Sequence, residues 1–363
     1  MRLVLEKRQE ASDLMAYASP LIAVAITFAF SAIVFAAMGK PVGASLFTYF
    51  IEPLTDLNSL QELAVKATPL VLIAVGLSLC YISNNWNIGA EGQYVMGAVF
   101  GSGVALAAQG TMSGPHVLAA MLAAGILGGM LWGALPALLK VRFGASEILT
   151  SLMLVYVAEK VLDYLVRGPW RDPKGYNFPQ SVAFDTTVPV LFESGRLHLG
   201  SVIALGVVIA AFVLVGRTLK GFELQVVGQA PRAARFAGFS PARATLFVFA
   251  VSGGLAGLAG IIEVAGPIGQ LQPSISPGYG FTAIIVAFLG RLNPIGCLIA
   301  GLLLALTYIG GENAQIVLKL PLDLTKVIQG FLLFAVLACD SLILYRPRLI
   351  AGGSHGGTAH GAH

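Results

Sequence analysis

The residues with the most chemical potential form one short run, Ser83-Asn84-Asn85-Trp86-Asn87-Ile88-Gly89-Ala90-Glu91-Gly92-Gln93, set between two strongly apolar stretches. Asn85, Asn87, Glu91 and Gln93 supply amides and a carboxylate that can hydrogen-bond a polar ligand. Gly89 and Gly92 permit backbone geometries closed to other residues. A helix restarting after them would aim its free N–H groups at a ligand. The bland alternative is an ordinary turn whose asparagines cap two helices. Because the polar run continues through Glu91 and Gln93 into the next apolar stretch, the binding reading is the stronger one.

A second irregular passage lies in the other half of the chain. Gly266-Pro267-Ile268-Gly269-Gln270 opens a loop through Pro273, Ser274, Ser276 and Pro277, and Gly278-Tyr279-Gly280-Phe281-Thr282 leads into a short apolar run ending at Gly290. Glycine- and proline-broken segments in both halves suggest two related repeats facing a shared site. Trp86, Tyr279 and Phe281 can stack a flat ligand there, although such aromatics more often pack or sit at interfaces.

The elements that must position these residues follow from composition. Of 363 residues, 56% are hydrophobic and 11% charged, whereas a soluble protein carries about 25% charged residues. Mean hydropathy is +0.82. The net charge of +4 is spread through loops, with no basic stripe interleaved with aromatics, which excludes a nucleic-acid partner. Cys80, Cys297 and Cys339 sit inside apolar stretches, as packing residues and not as a disulfide frame or metal site.

A membrane span needs about 20 apolar residues. Stretches of that kind occupy 17–38, 67–83, 94–110, 115–139, 147–166, 198–216, 244–266, 279–291, 295–311 and 326–345. The expected fold is therefore all-α, a polytopic transmembrane bundle of about ten spans over 17–345. It is preceded by a cytoplasmic segment, 1–16, and followed by a disordered cytoplasmic tail, 346–363. With that count, Arg2, Lys7 and Arg8, then Lys140 and Arg142, then the loop 217–243, then Arg346 and Arg348 all fall on the cytoplasmic side, as the positive-inside rule requires. The loop 167–197, of mixed charge, falls outside. Membrane lipid is thus an obligatory partner.

Gly125, Gly129 and Gly133, and likewise Gly253 and Gly257, recur at helix-packing spacing. Glu159, Lys160 and Asp163 read as a local salt-bridged patch near the outer end of their span, and Glu263 stands alone in its own. His355, His360 and His363 in the glycine-rich tail fit no rigid ligand set, so no metal site is expected.

Within the basic loop, Gly228-Gln229-Ala230-Pro231-Arg232-Ala233-Ala234-Arg235-Phe236-Ala237-Gly238 reads as a short helix ended by glycine. Arg232 and Arg235 share a face, suited to the membrane surface or to a docked cytoplasmic partner. No G-x-x-x-x-G-K-[ST] phosphate loop, G-x-S-x-G elbow or H-E-x-x-H pair occurs. The chain is not expected to be an enzyme, and any ATP is bound by another chain.

The run Asn87-Ile88-Gly89-Ala90-Glu91-Gly92-Gln93 resembles the signature of permease subunits of bacterial ABC importers for nucleosides and simple sugars. Ser146-Glu147-Ile148-Leu149-Thr150-Ser151-Leu152-Met153-Leu154, the loop Gly228–Gly238, and Gly280-Phe281-Thr282-Ala283-Ile284-Ile285-Val286-Ala287-Phe288-Leu289-Gly290 match the same family, in its order. The outer segment Gly168-Pro169-Trp170-Arg171-Asp172-Pro173 looks like the nucleoside-type branch, linked to basic-membrane-protein receptors. Tyr156 departs from the asparagine expected there.

The resemblance implies a type II ABC importer-like permease in the bacterial inner membrane, with both termini cytoplasmic. It implies a cytoplasmic ABC ATPase that carries the ATP and magnesium, and a paralogous second permease or a homodimer. It also implies a periplasmic or lipoprotein receptor met by the 167–197 loop. Asn85, Trp86, Asn87, Glu91, Gln93, Phe281 and Thr282 would lie by the substrate path. Gly228, Arg232, Ala233, Ala234, Arg235 and Gly238 would couple to the ATPase. Nucleosides are the expected cargo, with simple sugars or autoinducer as the alternative. A proton-coupled secondary transporter using Glu91 or Glu263 is the alternative from another class.

Overall fold

The computed structural model describes residues 2–7, 13–192, 195–321 and 323–350. The histidines of the tail, residue Glu193 and Arg8 lie outside the described residues. The chain begins with strand β1 (Arg2–Lys7) and then forms helices α1 (Asp13–Ala37), α2 (Val42–Leu46), α3 (Leu57–Ile82), α4 (Ala90–Ala108), α5 (Pro115–Phe143) and α6 (Glu147–Arg167). A long loop leads to α7 (Leu199–Arg217), the short pair α8 (Leu219–Gln229) and α9 (Pro231–Phe236), and α10 (Pro241–Glu263). After a π-helical turn, Val264–Ile268, come α11 (Tyr279–Leu289), α12 (Pro294–Leu318), α13 (Asp323–Leu344) and strand β2 (Tyr345–Ile350).

The bundle is helical, and among the described residues one ribbon pairs segments near the two ends of the chain: β1 and β2 run antiparallel, with Arg2 opposite Ile350 and Lys7 opposite Tyr345. Residues 346–350, at the start of the expected tail, are thus part of this ribbon, and 351–363 lie outside the described residues.

Each apolar stretch read from the sequence falls on a helix, apart from its last residues. Among the described residues, six helices are long and apolar enough to cross a membrane: Ala18–Ala37, Leu57–Ile82, Pro115–Phe143, Leu199–Arg217, Pro241–Ile268 and Pro294–Leu318. The expectation of about ten crossings is not established by length and composition. The remaining stretches fall short for visible reasons. Helix α11 has 11 residues, α4 carries Glu91 and Gln93 in its first turn, and α6 holds Glu159, Lys160 and Asp163.

Small residues decide what lies at the centre. Helices α10 and α5 touch along Gly253–Gly257 and Gly125–Gly133, with α4 joining at Gly97. A methyl group on Gly133 would come within 2.7 Å of the Phe249 carbonyl, and one on Gly257 within 2.9 Å of the Gly129 Cα. Backbones this close gain dispersion contacts that lipid cannot supply, so the spacing read from the sequence is a packing device. Helix α3 threads the same centre, with Gly76 against Ser252. Helices α1 and α7 lie at the periphery, each with 22% of its apolar window buried.

Candidate transport site

The break between α3 and α4 is shorter than the sequence suggested. Helix α4 starts at Ala90, so Glu91, Gly92 and Gln93 are helical and only 83–89 is irregular. Asn84 takes a left-handed conformation, φ 54°, which asparagine tolerates because its short amide can bond locally. Gly92 does not break the helix; it lets α4 press against Val155 of α6, whose Cα a methyl would meet at 2.9 Å.

Two polar clusters fix the segment. Nearer α3, the Asn85 carbonyl oxygen accepts from Lys140 Nζ at 3.0 Å and from the Thr245 hydroxyl at 2.9 Å. Lys140 also bridges Glu147 at 2.6 Å. Deeper, the amides of Asn87 and Gln93 bond each other twice, at 2.9 and 3.0 Å. Asn87 Nδ2 donates to the Ser252 hydroxyl at 3.1 Å, and Asn87 Oδ1 accepts from the Gly89 N–H at 3.1 Å. The Ile88 N–H goes to Ser151 Oγ at 3.2 Å. The N–H groups of Ile88 and Gly89 are therefore used inside the chain, not held out to a ligand. Asn85, Asn87 and Gln93 are buried, and their bonds within this subunit are those of a structural lock. Asn87→Ala orphans three of its partners at once, so a loss of about 2 kcal/mol or more is expected, read as a lower unfolding midpoint in detergent.

Trp86 is 39% exposed and stacks along Phe288, ring centroids 6.1 Å apart, with Tyr81 on the same cluster. Its indole N–H donates to Asn84 Oδ1 at 3.2 Å.

The second irregular passage comes to the first. The Glu91 carboxylate accepts the Gly280 N–H at 2.6 Å, in the first turn of α11. Tyr94 donates its hydroxyl to the Ile275 carbonyl at 3.0 Å. The N-terminal ends of α4 and α11 thus meet, each preceded by non-helical chain, and a carboxylate lies where both helix dipoles are positive. Ser276 Oγ accepts from Gly278 and Tyr279 N–H, both at 3.0 Å, and caps α11. Phe281 on the same turn is 41% exposed, whereas Thr282 is buried with its hydroxyl 2.8 Å from that of Tyr308. Tyr279 is buried edge-on between Tyr94 and Tyr308, so it packs and does not stack a ligand.

Glu91, Glu159, Lys160 and Ser276 line a common cavity of about 310 Å³. Asp163 pairs with Arg167 at 2.6 Å, one turn on, and not with Lys160 as expected. Glu159 and Lys160 are exposed on α6. The cavity joins residues the sequence listed separately, as paired passages and as an interfacial patch. Ser252 and Tyr94 were missed; Ser151 was signalled only by its place in the Ser146–Leu154 motif, and Ser276 only as part of the second irregular passage.

The basic segment is two helices, not one. Proline at 231 has no N–H to extend α8 and opens α9 instead. Gly238, φ 83°, follows in the left-handed conformation. Ala234 is buried; Arg232, Ala233, Arg235 and Phe236 are exposed, Phe236 at 95%. Gly228, in α8, lies against the end of α3, where a methyl would meet Ser83 Cα at 3.0 Å. The exposed α9 is therefore one helix away from the polar segment.

Residues 59–337 match the family described as branched-chain amino acid transport system / permease component. A glucose ABC transporter permease protein of Haloferax volcanii is 34% identical, covering 95% of this chain and 93% of its own. A guanosine ABC transporter permease protein of Bacillus subtilis is 27% identical over 87% of this chain and 92% of its own. A nucleoside ABC transporter permease protein of Lactococcus lactis is 26% identical, over 87% and 89%. The resemblance read from the motifs holds along the whole helical region. With its broken helices meeting at Glu91 and its apolar bundle around them, the chain belongs to this family of ABC transporter permeases.

Proposed function

We propose that this permease forms half of the passage of an importer that takes up nucleosides by alternating access, driven by a separate ATPase. The observation that carries the reading is the charged face of α6 beside Glu91: Glu159 and Lys160 stand exposed on a helix whose neighbours are apolar. Charges within a span face water or protein, not lipid. A second permease opposite them would enclose a wet route, with Glu91, Phe281 and Trp86 along it. Asn85, Asn87, Gln93 and Thr282 serve that route from behind, by holding its backbone. The guanosine and nucleoside relatives support nucleosides as cargo; the glucose permease relative favours free sugars as the second reading.

Ten crossings, by α1, α3 to α7 and α10 to α13, suit the ribbon, because paired chain ends require an even number. The Lys/Arg rule then puts both ends in the cytoplasm of the bacterial cell. In that orientation α9 meets the ATPase, where Phe236 enters a groove between Arg232 and Arg235. The loop 168–192 meets the receptor and transmits to the site, since Ser181 N–H bonds the Leu271 carbonyl at 2.8 Å and Phe184 N–H that of Gly269 at 2.9 Å.

Proteoliposomes holding the permease pair, ATPase and receptor provide the test. Labelled guanosine should accumulate only with ATP inside the cytoplasmic face, and labelled glucose less. Uptake that continues without the ATPase and collapses with the proton gradient would point to a secondary transporter instead. The double variant Arg232→Ala, Arg235→Ala should lower uptake about fivefold or more while ATP is still hydrolysed, a typical coupling energy lost. Wild-type uptake in that variant removes the assignment of α9.

A further inference from the structure

We propose that each permease subunit holds, within its own chain, a binding site for the hydroxylated ring of its cargo, separate from the route between subunits. The proposal rests on the importer reading above. The site is a cavity of about 320 Å³ bordered by Lys66, Glu263, Ser274, Tyr279, Tyr308 and Glu312. That volume is at the lower limit for small-molecule sites, suited to a single ring.

One feature points directly to a ligand. Glu263 is buried, 6% exposed, and borders the cavity, and its Oε2 has no hydrogen-bond partner among the described residues. A buried carboxylate oxygen without a donor is rare and calls for one. Among the described residues nothing in the packing supplies a donor: α10 ends here, and the re-entrant segment, 269–278, brings the Ser274 and Ser276 hydroxyls to the border without bonding to it.

The lining also selects the kind of ligand. Lys66 bridges Glu312 at 3.1 Å, and Lys326, also on the border, bridges Asp323 at 3.0 Å. Ammonium groups on the rim oppose a cationic ligand, and Glu263 with Glu312 opposes an anionic one. A neutral ligand whose groups both donate and accept satisfies both signs, and hydroxyls are such groups. Vicinal hydroxyls can donate to Glu263 and accept from the rim. Tyr308, backed edge-on by the buried Tyr279 with centroids 5.6 Å apart, borders the cavity as an apolar edge for the C–H face of a ring. The shared chemistry is a polyol ring, present in free sugars and in the ribose of nucleosides.

The cavity also stands beside the route. Ile275 and Ser276 border both it and the cavity at Glu91, so the re-entrant segment is the partition between them. Cargo seated here is one loop away from the carboxylate at the helix ends.

Equilibrium binding of labelled D-glucose to the assembled importer in nanodiscs tests the site, with unlabelled guanosine as competitor. Saturable glucose binding is expected, weakened about tenfold or more in Glu263→Gln, the equivalent of 1.4 kcal/mol. Ser274→Ala, on the exposed rim, should weaken it less and guards against a folding defect. Displacement by guanosine identifies ribose as the natural group; its absence identifies free sugar. Binding equal to wild type in both variants overturns the site. So does binding of labelled glucosamine or sodium ion that glucose does not displace. If glucose binding is absent while ATP-driven uptake proceeds, the site falls and the importer reading stands.

Discussion

Gly257→Leu is expected to abolish the folded bundle. Gly257 sits where three helices meet, with Gly129 of α5 and Gly97 of α4 facing it, and a single methyl there already reaches within 2.9 Å of the Gly129 Cα. The obstacles are backbone atoms, which no rotamer change removes. Overpacking a close-packed interior costs about 1–3 kcal/mol where side chains can yield, and more where the helices themselves must separate. Separation would also pull Ser252 from Asn87 and Thr245 from Asn85, because both partners ride on α10. The measurement is size-exclusion and thermal unfolding in detergent. A monodisperse Leu variant with wild-type unfolding would mean that the three-helix contact is loose. Gly206→Leu, on α7 where a methyl meets nothing within 4 Å, is the control and should behave as wild type.

The second large effect is expected at Glu91. Its carboxylate joins α4 to the first turn of α11 through the Gly280 N–H, and Gly280 stands so near α4 that a methyl would come within 2.6 Å of the Glu91 Cα. Glu91→Ala leaves the Gly280 N–H buried without an acceptor, at about 1–3 kcal/mol. With the clamp gone, α11 loses its bond to α4, and the segment before it keeps only the Tyr94 bond on that side besides its bonds to the outer loop. Uptake should fall about tenfold or more, since 1.4 kcal/mol is already a factor of ten. Glu91→Gln keeps an acceptor for the Gly280 N–H and should fall between Ala and wild type. The assay is the initial rate of ATP-driven uptake at matched protein levels. Undiminished uptake in Glu91→Ala would remove the carboxylate from the mechanism.

These two positions show where sequence reading succeeds and where it stops. Helix positions were legible because hydrophobicity recurs over a whole turn and is averaged over many residues. The glycine spacing on α5 and α10 was legible for the same reason. Ends were less so: α3 begins at Leu57, ahead of the apolar stretch, because Asp56 caps it by accepting from Asn58 and Ser59 N–H. Caps are local and polar, and a hydropathy window blurs them. The polar run 83–93 announced itself by its unusual residues, yet its division into a lock (Asn85, Asn87, Gln93) and a contact to α11 (Glu91) depends on partners 160, 165 and 189 residues away.

By itself the sequence determined that this chain is a helical membrane protein, where its two irregular passages lie, and which segment is exposed and basic. Those properties are set by residue type and local spacing. Only the tertiary structure decided that the two passages meet through Glu91 and Gly280, that the α6 charges border the same cavity, and that Glu263 lines another with an unpartnered oxygen. Each is a contact between distant segments. The close approach of glycine-lined helices brings them together, and no local pattern encodes which residues will face each other once the helices have packed.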